Sequence, residues 1–185
     1  ERSCRAVIVG VIPYRGPLYE ALERSGGTAG AIIARFGVGH DSVDKALARR
    51  HNIVVTNTPG VLDASVAEHA IWLLGCLAKG VPAADARLRA GQFAGRAGME
   101  LSGKTLGLLG LGAIGRRVAK IAHFGFGMRV IAADTKPIEV LEQELGKPAA
   151  ELLAGLGVAS HTTSATPVLR QADAVSIHLP ANEGT

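Results

Sequence analysis

Apolar residues along the chain gather in short unbroken runs, separated by stretches with helical spacing. Ala6-Val7-Ile8-Val9-Gly10, Ala31-Ile32-Ile33-Ala34, Ile53-Val54-Val55-Thr56, 105–109, 128–133 and 175–179 each read as a strand. Val158 to Ser160 reads as a weaker one. Continuous apolar runs, rather than alternation, mark strands covered on both faces of a parallel sheet, and 105–111 and 175–179 fit that pattern best. Between the strands lie helical patterns. Pro17 to Arg24 opens with a proline and closes at Gly26-Gly27. A second helix is expected to be capped by Asp41, with Asp44 in its first turn and Val43, Ala46 and Leu47 facing inward. A long helix runs from about Ser65 to Lys79, with Val66, Ala70, Leu73, Leu74 and Leu77 as its apolar side. Ala83 to Arg89, 113–124, 138–145, 149–154 and Pro167 to Gln171 complete the set.

Strands alternating with helices predict an α/β protein with parallel sheets. Asn57-Thr58-Pro59-Gly60 breaks the pattern and divides residues 1–60 from residues 61–185. In the second part the fourth strand is expected beside the first, which leaves an apolar edge for another segment or subunit to cover.

One stretch carries chemistry. Leu106-Gly107-Leu108-Leu109 runs into Gly110-Leu111-Gly112-Ala113-Ile114-Gly115, a strand, a tight glycine turn and the start of an amphipathic helix. In that context the spacing G-x-G-x-x-G predicts a diphosphate against backbone N–H groups at a helix start. Gly110 makes the turn, Gly112 lets the backbone approach the phosphate, and Gly115 lets helix and strand pack closely. Asp134 ends the next strand about twenty residues beyond Gly115, where a carboxylate accepts from an adenosine ribose and repels a 2′-phosphate. The prediction is NAD rather than NADP, with Lys136 working slightly against that preference.

A second loop, Arg35-Phe36-Gly37-Val38-Gly39, follows a strand end. Glycines flanking a small residue can turn successive N–H groups into one anion-holding concavity, or can simply make a tight turn. Arg35 either supplies a positive charge there or pairs with Asp41 or Asp44. Thr58 and Pro59 sit at the domain junction. His40, His51, His69, His123, His161 and His178 form no metal-ligand spacing; His51, His123 and His161 read as isolated, and His178 as satisfied by nearby backbone. There is no nucleophile elbow and no P-loop, and Trp72 reads as core or interface packing.

Composition narrows the picture. The 185 residues are 48% hydrophobic with 24 glycines, a soluble α/β balance. The formal charge of +4 comes from dispersed basic residues and aromatics are only 4%, which argues against nucleic acid. Cys4 and Cys76, in apolar surroundings, read as buried thiols of a reducing compartment, and no run is long enough for a membrane span, so cytoplasm is the expectation.

Taken together, several stretches resemble the D-isomer-specific 2-hydroxyacid dehydrogenase family, near its phosphoglycerate dehydrogenase and glyoxylate/hydroxypyruvate reductase branches. They are residues 34–44, 55–60, 65–69, 88–93, 101–115 and 172–180. The resemblance implies an incomplete Rossmann-type parallel-sheet domain, 61–185, that includes the interdomain linking helix. It also implies part of a smaller flavodoxin-like α/β substrate domain, 1–60. It implies NAD as cofactor, held by the stretch matching Gly112, Ala113 and Ile114, by Asp134, and by the cleft-lining strand end at His178, Leu179 and Pro180. It implies a 2-hydroxy or 2-keto acid whose carboxylate rests on main-chain groups of Val38 and Gly39, and a homodimer formed through the cofactor domain. The family's catalytic arginine, glutamate and histidine have no positional match in this chain, so the resemblance assigns no catalytic residue here and implies a chain truncated at both ends. A non-catalytic NAD-sensing or corepressor-like protein, an adenosyl-ligand enzyme and a structural interaction module remain open alternatives.

Overall fold

The structure is a computed structural model that describes residues 4–180; residues 1–3 and 181–185, the outer ends of the two expected domains, lie outside the described residues. The described residues form two compact units, one of residues 4–62 with Pro180 and one of residues 63–179.

In the first unit, β1 (Ala6–Val9), β2 (Ala31–Arg35) and β3 (Ile53–Thr56) form a parallel sheet in that order. Helix α1 (Gly16–Gly26) has Pro17 in its first turn, and α2 spans Lys45–Arg50. One sheet face carries Val9, Ala31, Ile33 and Ile53 onto Tyr19, Leu22, Val43 and Ala48. The Tyr19 ring is fully buried, and its hydroxyl accepts from the Asp44 amide at 2.9 Å. That bond satisfies the hydroxyl and fixes the entrance to α2. The cap of α2 is Asp44, not Asp41: its carboxylate accepts from the Leu47 amide at 2.8 Å. The inward positions shift accordingly, so Val43 and Ala48 are buried while Ala46 is exposed. The choice follows from the chain path, because Tyr19 holds Asp44 at the turn where the first free amides need an acceptor. Ile8, Ile32 and Val54 line the other sheet face and are exposed.

In the second unit, β4 (Thr105–Leu109), β5 (Arg129–Ala133), β6 (Val158–Thr162) and β7 (Ala174–Ile177) form a parallel sheet in the order β6-β5-β4-β7. The strand expected beside the first is there, pairing Leu109 with Ile177. Helices α3 (Asp63–Lys79), α4 (Val81–Arg89) and α5 (Ala113–Lys120) are followed by a π-helical turn at Ile121–Gly125, then by α6 (Ile138–Leu145), α7 (Ala149–Leu156) and α8 (Ala165–Gln171). Leu106, Leu108, Val118, Ala119, Ala122, Val130 and Ala132 lie at the centre of the core. Two expectations are corrected. Helix α3 buries Ala67, Ile71 and Ala78; of its expected apolar side Ala70 and Leu74 pack against the core, while Val66, Leu73 and Leu77 are exposed. Alanines fill much of the inward side of α3, which a reading by hydrophobicity alone misses. Strand β7 is not covered on both faces: Val175 and Ile177 are exposed at the sheet edge.

Candidate functional site

In the second unit β4 lies between β5 and β7, so its end is the switch point at which such sheets bind ligands. Gly110 makes the turn with φ of +99°. A Cβ on Gly110 would run into the carbonyl oxygen of His178, and one on Gly115 into the carbonyl oxygen of Gly110. Both glycines are therefore required by the fold itself. Gly112 differs: it has ordinary φ of −68°, and a Cβ there would meet nothing within 4 Å. No protein atom explains a glycine at this position, and the bare backbone leaves room for a ligand to approach closely. Gly112 is the N-cap of α5, and its amide and those of Ala113 and Ile114 find no acceptor among the described residues. Three bare donors at the positive end of a helix fit a diphosphate.

Asp134 stands at the end of β5, as expected, but its carboxylate is already engaged. One oxygen accepts from the Leu111 amide at 2.7 Å and the other from the Lys136 amide at 2.9 Å. Arg116 donates to the Leu111 carbonyl oxygen at 3.0 Å. The peptide groups on both sides of Leu111 are thus clamped by side chains from β5 and α5. Each carboxylate oxygen keeps a lone pair for a ribose hydroxyl. The reading of Asp134 as a ribose acceptor missed this brace, and no signal along the chain announces it.

His178 follows β7, where its amide donates to the Leu109 carbonyl at 2.7 Å. Its ring is satisfied by a side chain and not by backbone, with Nε2 at 2.9 Å from Ser176 Oγ. Burial pushes its pKa below the ordinary histidine value. Leu179 lies beside Gly110, and Pro180 is exposed and groups with the first unit. His161 has no hydrogen-bond partner for its buried Nε2 among the described residues, but it does feel nearby charges. Burial lowers its pKa, while the charges of Asp134 and Glu139 pull it back up. His51 and His123 have partners: His51 Nδ1 lies 2.7 Å from Glu23, and His123 Nδ1 lies 3.0 Å from the Met128 carbonyl. The thiols are corrected as well, Cys4 being exposed and Cys76 half-buried.

In the first unit, two side chains from the end of β3 fix the glycine loop. Gly37 donates to Thr58 Oγ1 at 3.0 Å, and Asn57 Nδ2 donates to the Val38 carbonyl at 2.9 Å. The Val38 and Gly39 amides donate to nothing among the described residues. Arg35 pairs with neither Asp41 nor Asp44. It is 8% exposed and forms no ion pair among the described residues. Among the described residues, no cluster of three His, Cys, Asp or Glu side chains is arranged to hold a metal.

Residues 71–185 match the family model described as D-isomer specific 2-hydroxyacid dehydrogenase, NAD binding domain. The chain belongs to this dehydrogenase family. It is 38% identical over 163 residues to a glyoxylate reductase of Aeropyrum pernix, covering 83% of this chain and 44% of that protein. It is likewise 38% identical over 157 residues to a hydroxypyruvate reductase of Thermotoga maritima, covering 83% of this chain and 45% of the relative. Among solved structures, a D-lactate dehydrogenase from Aquifex aeolicus complexed with NAD and lactic acid matches 97% of this chain and 49% of its own, at 26% identity and a TM-score of 0.73. The chain therefore spans somewhat under half the length of these two curated relatives. NAD is the cofactor of the matched domain, and the bare amides at Gly112, Ala113 and Ile114 suit its diphosphate.

Proposed function

We propose that the protein to which this chain contributes transfers hydride between a nicotinamide and the C2 carbon of a 2-hydroxy or 2-keto acid. NAD, when bound, supplies or accepts that hydride. The observation that carries the reading is Gly112, a glycine that no protein contact demands, at the head of three unpaired amides and beside the carboxylate of Asp134. On this reading residues 61–185 hold the cofactor. The Gly112, Ala113 and Ile114 amides receive the diphosphate on a turn that Gly110 and Gly115 shape, Asp134 takes the adenosine ribose, and His178, Leu179 and Pro180 line the cleft. Residues 1–60 belong to a substrate domain in which the Val38 and Gly39 amides receive the carboxylate, through a nest held open by Asn57 and Thr58. No residue of this chain is assigned as the acid or base; the role read for it is to hold NAD and receive the substrate carboxylate.

The second unit also presents a surface suited to a second copy. Trp72, Leu77 and Phe126 are exposed, and a cavity of about 830 Å³ runs between α3 and the π-helical turn, lined by Ile71, Trp72, Cys76, Leu101 and Phe126. Exposed aromatics around a cavity of this size support a homodimer through the cofactor domain. No helix among the described residues is long and apolar enough to cross a membrane. Free Cys4 and Cys76 accord with a reducing cytoplasm.

Nicotinamide fluorescence on titration of the chain with NADH tests the reading. Saturable binding, weaker for NADPH and undisturbed by S-adenosylmethionine, is expected, together with a rise in melting temperature. Absence of both responses refutes it.

A further inference from the structure

The most buried residue of α4 is an arginine. Every other residue of that helix is exposed, while Arg87 is half-buried. Its Nε is shut off from solvent and has no hydrogen-bond partner among the described residues. An inward helix position ordinarily takes an apolar side chain, and a buried donor without an acceptor calls for a ligand, ion or water. Arg87 lines a cavity of about 480 Å³ between the end of α3, α4 and a strap of residues 92–99. Backbone holds that strap at both ends. The Gln92 amide donates to the Arg87 carbonyl at 2.9 Å, and the Met99 amide to the Ala78 carbonyl at 2.7 Å. Gly98 is pressed onto the end of α3, where a Cβ would stand 2.8 Å from both the Ala78 oxygen and Lys79 Cα. Lys79 and Arg96 line the cavity with Arg87, and no acid does. None of these three cations forms an ion pair among the described residues. The acid of α4, Asp85, is already taken by Arg89 at 2.8 Å. The amides from Phe93 to Gly98 also donate to nothing among the described residues.

We propose that this cavity, lined by the unpaired Arg87, Arg96 and Lys79, binds the phosphoryl group of a small phosphorylated metabolite. The charge selects the class. Three cations with no acid oversupply a single carboxylate, whereas a phosphate monoester carries roughly −1.5 to −2 at neutral pH and three acceptor oxygens. A guanidinium fork meets two such oxygens at once, and a lysine adds a mobile point charge. The unpaired strap amides supply further donors. The volume leaves room for a few carbons beyond the phosphoryl group. None of the residues assigned to the dinucleotide or to the substrate carboxylate lines this cavity.

The test is an NMR titration of the 185-residue chain with inorganic phosphate, following the Arg87 and Arg96 Nε–H signals and the Gly95 and Gly98 amides. Sodium acetate and sodium chloride at matched ionic strength are the controls. The four signals are expected to move along one saturation curve with phosphate, weakly with acetate and not with chloride. Arg87→Gln is expected to weaken phosphate binding about tenfold or more, the scale of one hydrogen bond to a charged group, with the amide spectrum of the fold retained. Arg96→Gln, at an exposed position, is expected to weaken binding too, and keeps the test decisive should Arg87→Gln fail to fold. The phosphoryl site is refuted if no signal moves, if acetate or chloride moves them equally, or if either variant titrates like the unsubstituted chain. It is also refuted if Arg87 Nε–H responds to dilution of the protein and not to phosphate, since an acid of a second copy then fills the cavity. The Gly112 amide, read in the same spectra, reports the dinucleotide turn separately, so either site can fail alone.

Discussion

Replacing Asp134 by alanine separates two roles that a ribose-binding carboxylate does not ordinarily combine. The side chain accepts from the Leu111 and Lys136 amides at 2.7 and 2.9 Å. Lys136 is exposed, so water replaces its lost bond; Leu111 is fully buried, so its amide is left orphaned. An unsatisfied buried donor costs about 1–3 kcal/mol, and that cost falls on the turn that presents the Gly112 amides. Asp134→Ala is therefore expected to loosen the turn and weaken binding of any diphosphate ligand by roughly tenfold, since about 1.4 kcal/mol is a factor of ten. The assay compares NADH with an analogue lacking both hydroxyls of the adenosine ribose, alongside hydrogen exchange at the Leu111 amide. Both affinities should fall and Leu111 should exchange faster. Asp134→Asn, which keeps an acceptor oxygen for Leu111, should restore part of the analogue's affinity. NADPH should lose less than NADH, because the repelling charge has gone. If Asp134→Ala leaves the analogue's affinity and the exchange of Leu111 unchanged, the brace is an accident of geometry and Asp134 serves the ribose alone.

Three further outcomes follow from the same geometry. Gly112→Val, at a position with nothing within 4 Å and an ordinary φ, should leave the circular dichroism spectrum intact while abolishing NADH binding; retained affinity would misplace the diphosphate. Gly107→Val should destabilise the second unit instead, by roughly 1–3 kcal/mol or more in a urea titration. Even its Cβ would stand 2.7 Å from Val168 Cγ1 and 2.9 Å from Ala172 Cβ, driving α8 off β4. The second unit should also weaken in mild acid. Burial lowers the pKa of both His161 and His178 below 6.5, so beneath that pH the unfolded chain binds more protons than the folded one. Stability is complete above pH 6.5 and declines as the pH falls toward the folded-state values. Urea midpoints at pH 5.5 and 7.5 should differ in the native chain and converge when both histidines are replaced by asparagine.

The elements were largely legible because their signals are local. Proline opens α1, apolar runs mark β1 to β5, and the glycine spacing locates the turn after β4. The errors share one cause. Asp41 and Asp44 are equally good caps by residue type, and only the buried Tyr19 hydroxyl, reaching the Asp44 amide across more than twenty positions of sequence, decides between them. The inner side of α3 is legible only in part, because leucines outweigh alanines on any hydrophobicity scale, while the side turned to the core carries Ala67, Ile71 and Ala78 with Ala70 and Leu74 beside them. His51 appeared isolated because its partner, Glu23, lies on a different helix.

By itself, then, the amino-acid order determined the alternation of strand and helix, the glycine turn, the acid at the end of the following strand and the family. Periodicity, backbone freedom and spacing act over a few residues and do not depend on what packs above them. Tertiary structure alone decided which acid caps α2, that Gly110 and Gly115 serve the fold while Gly112 does not, that Asp134 grips the Leu111 amide, and that Arg35 is buried without a counter-charge. Each of these depends on atoms far apart in the chain meeting within a few ångströms, and desolvation and hydrogen bonding register only that meeting.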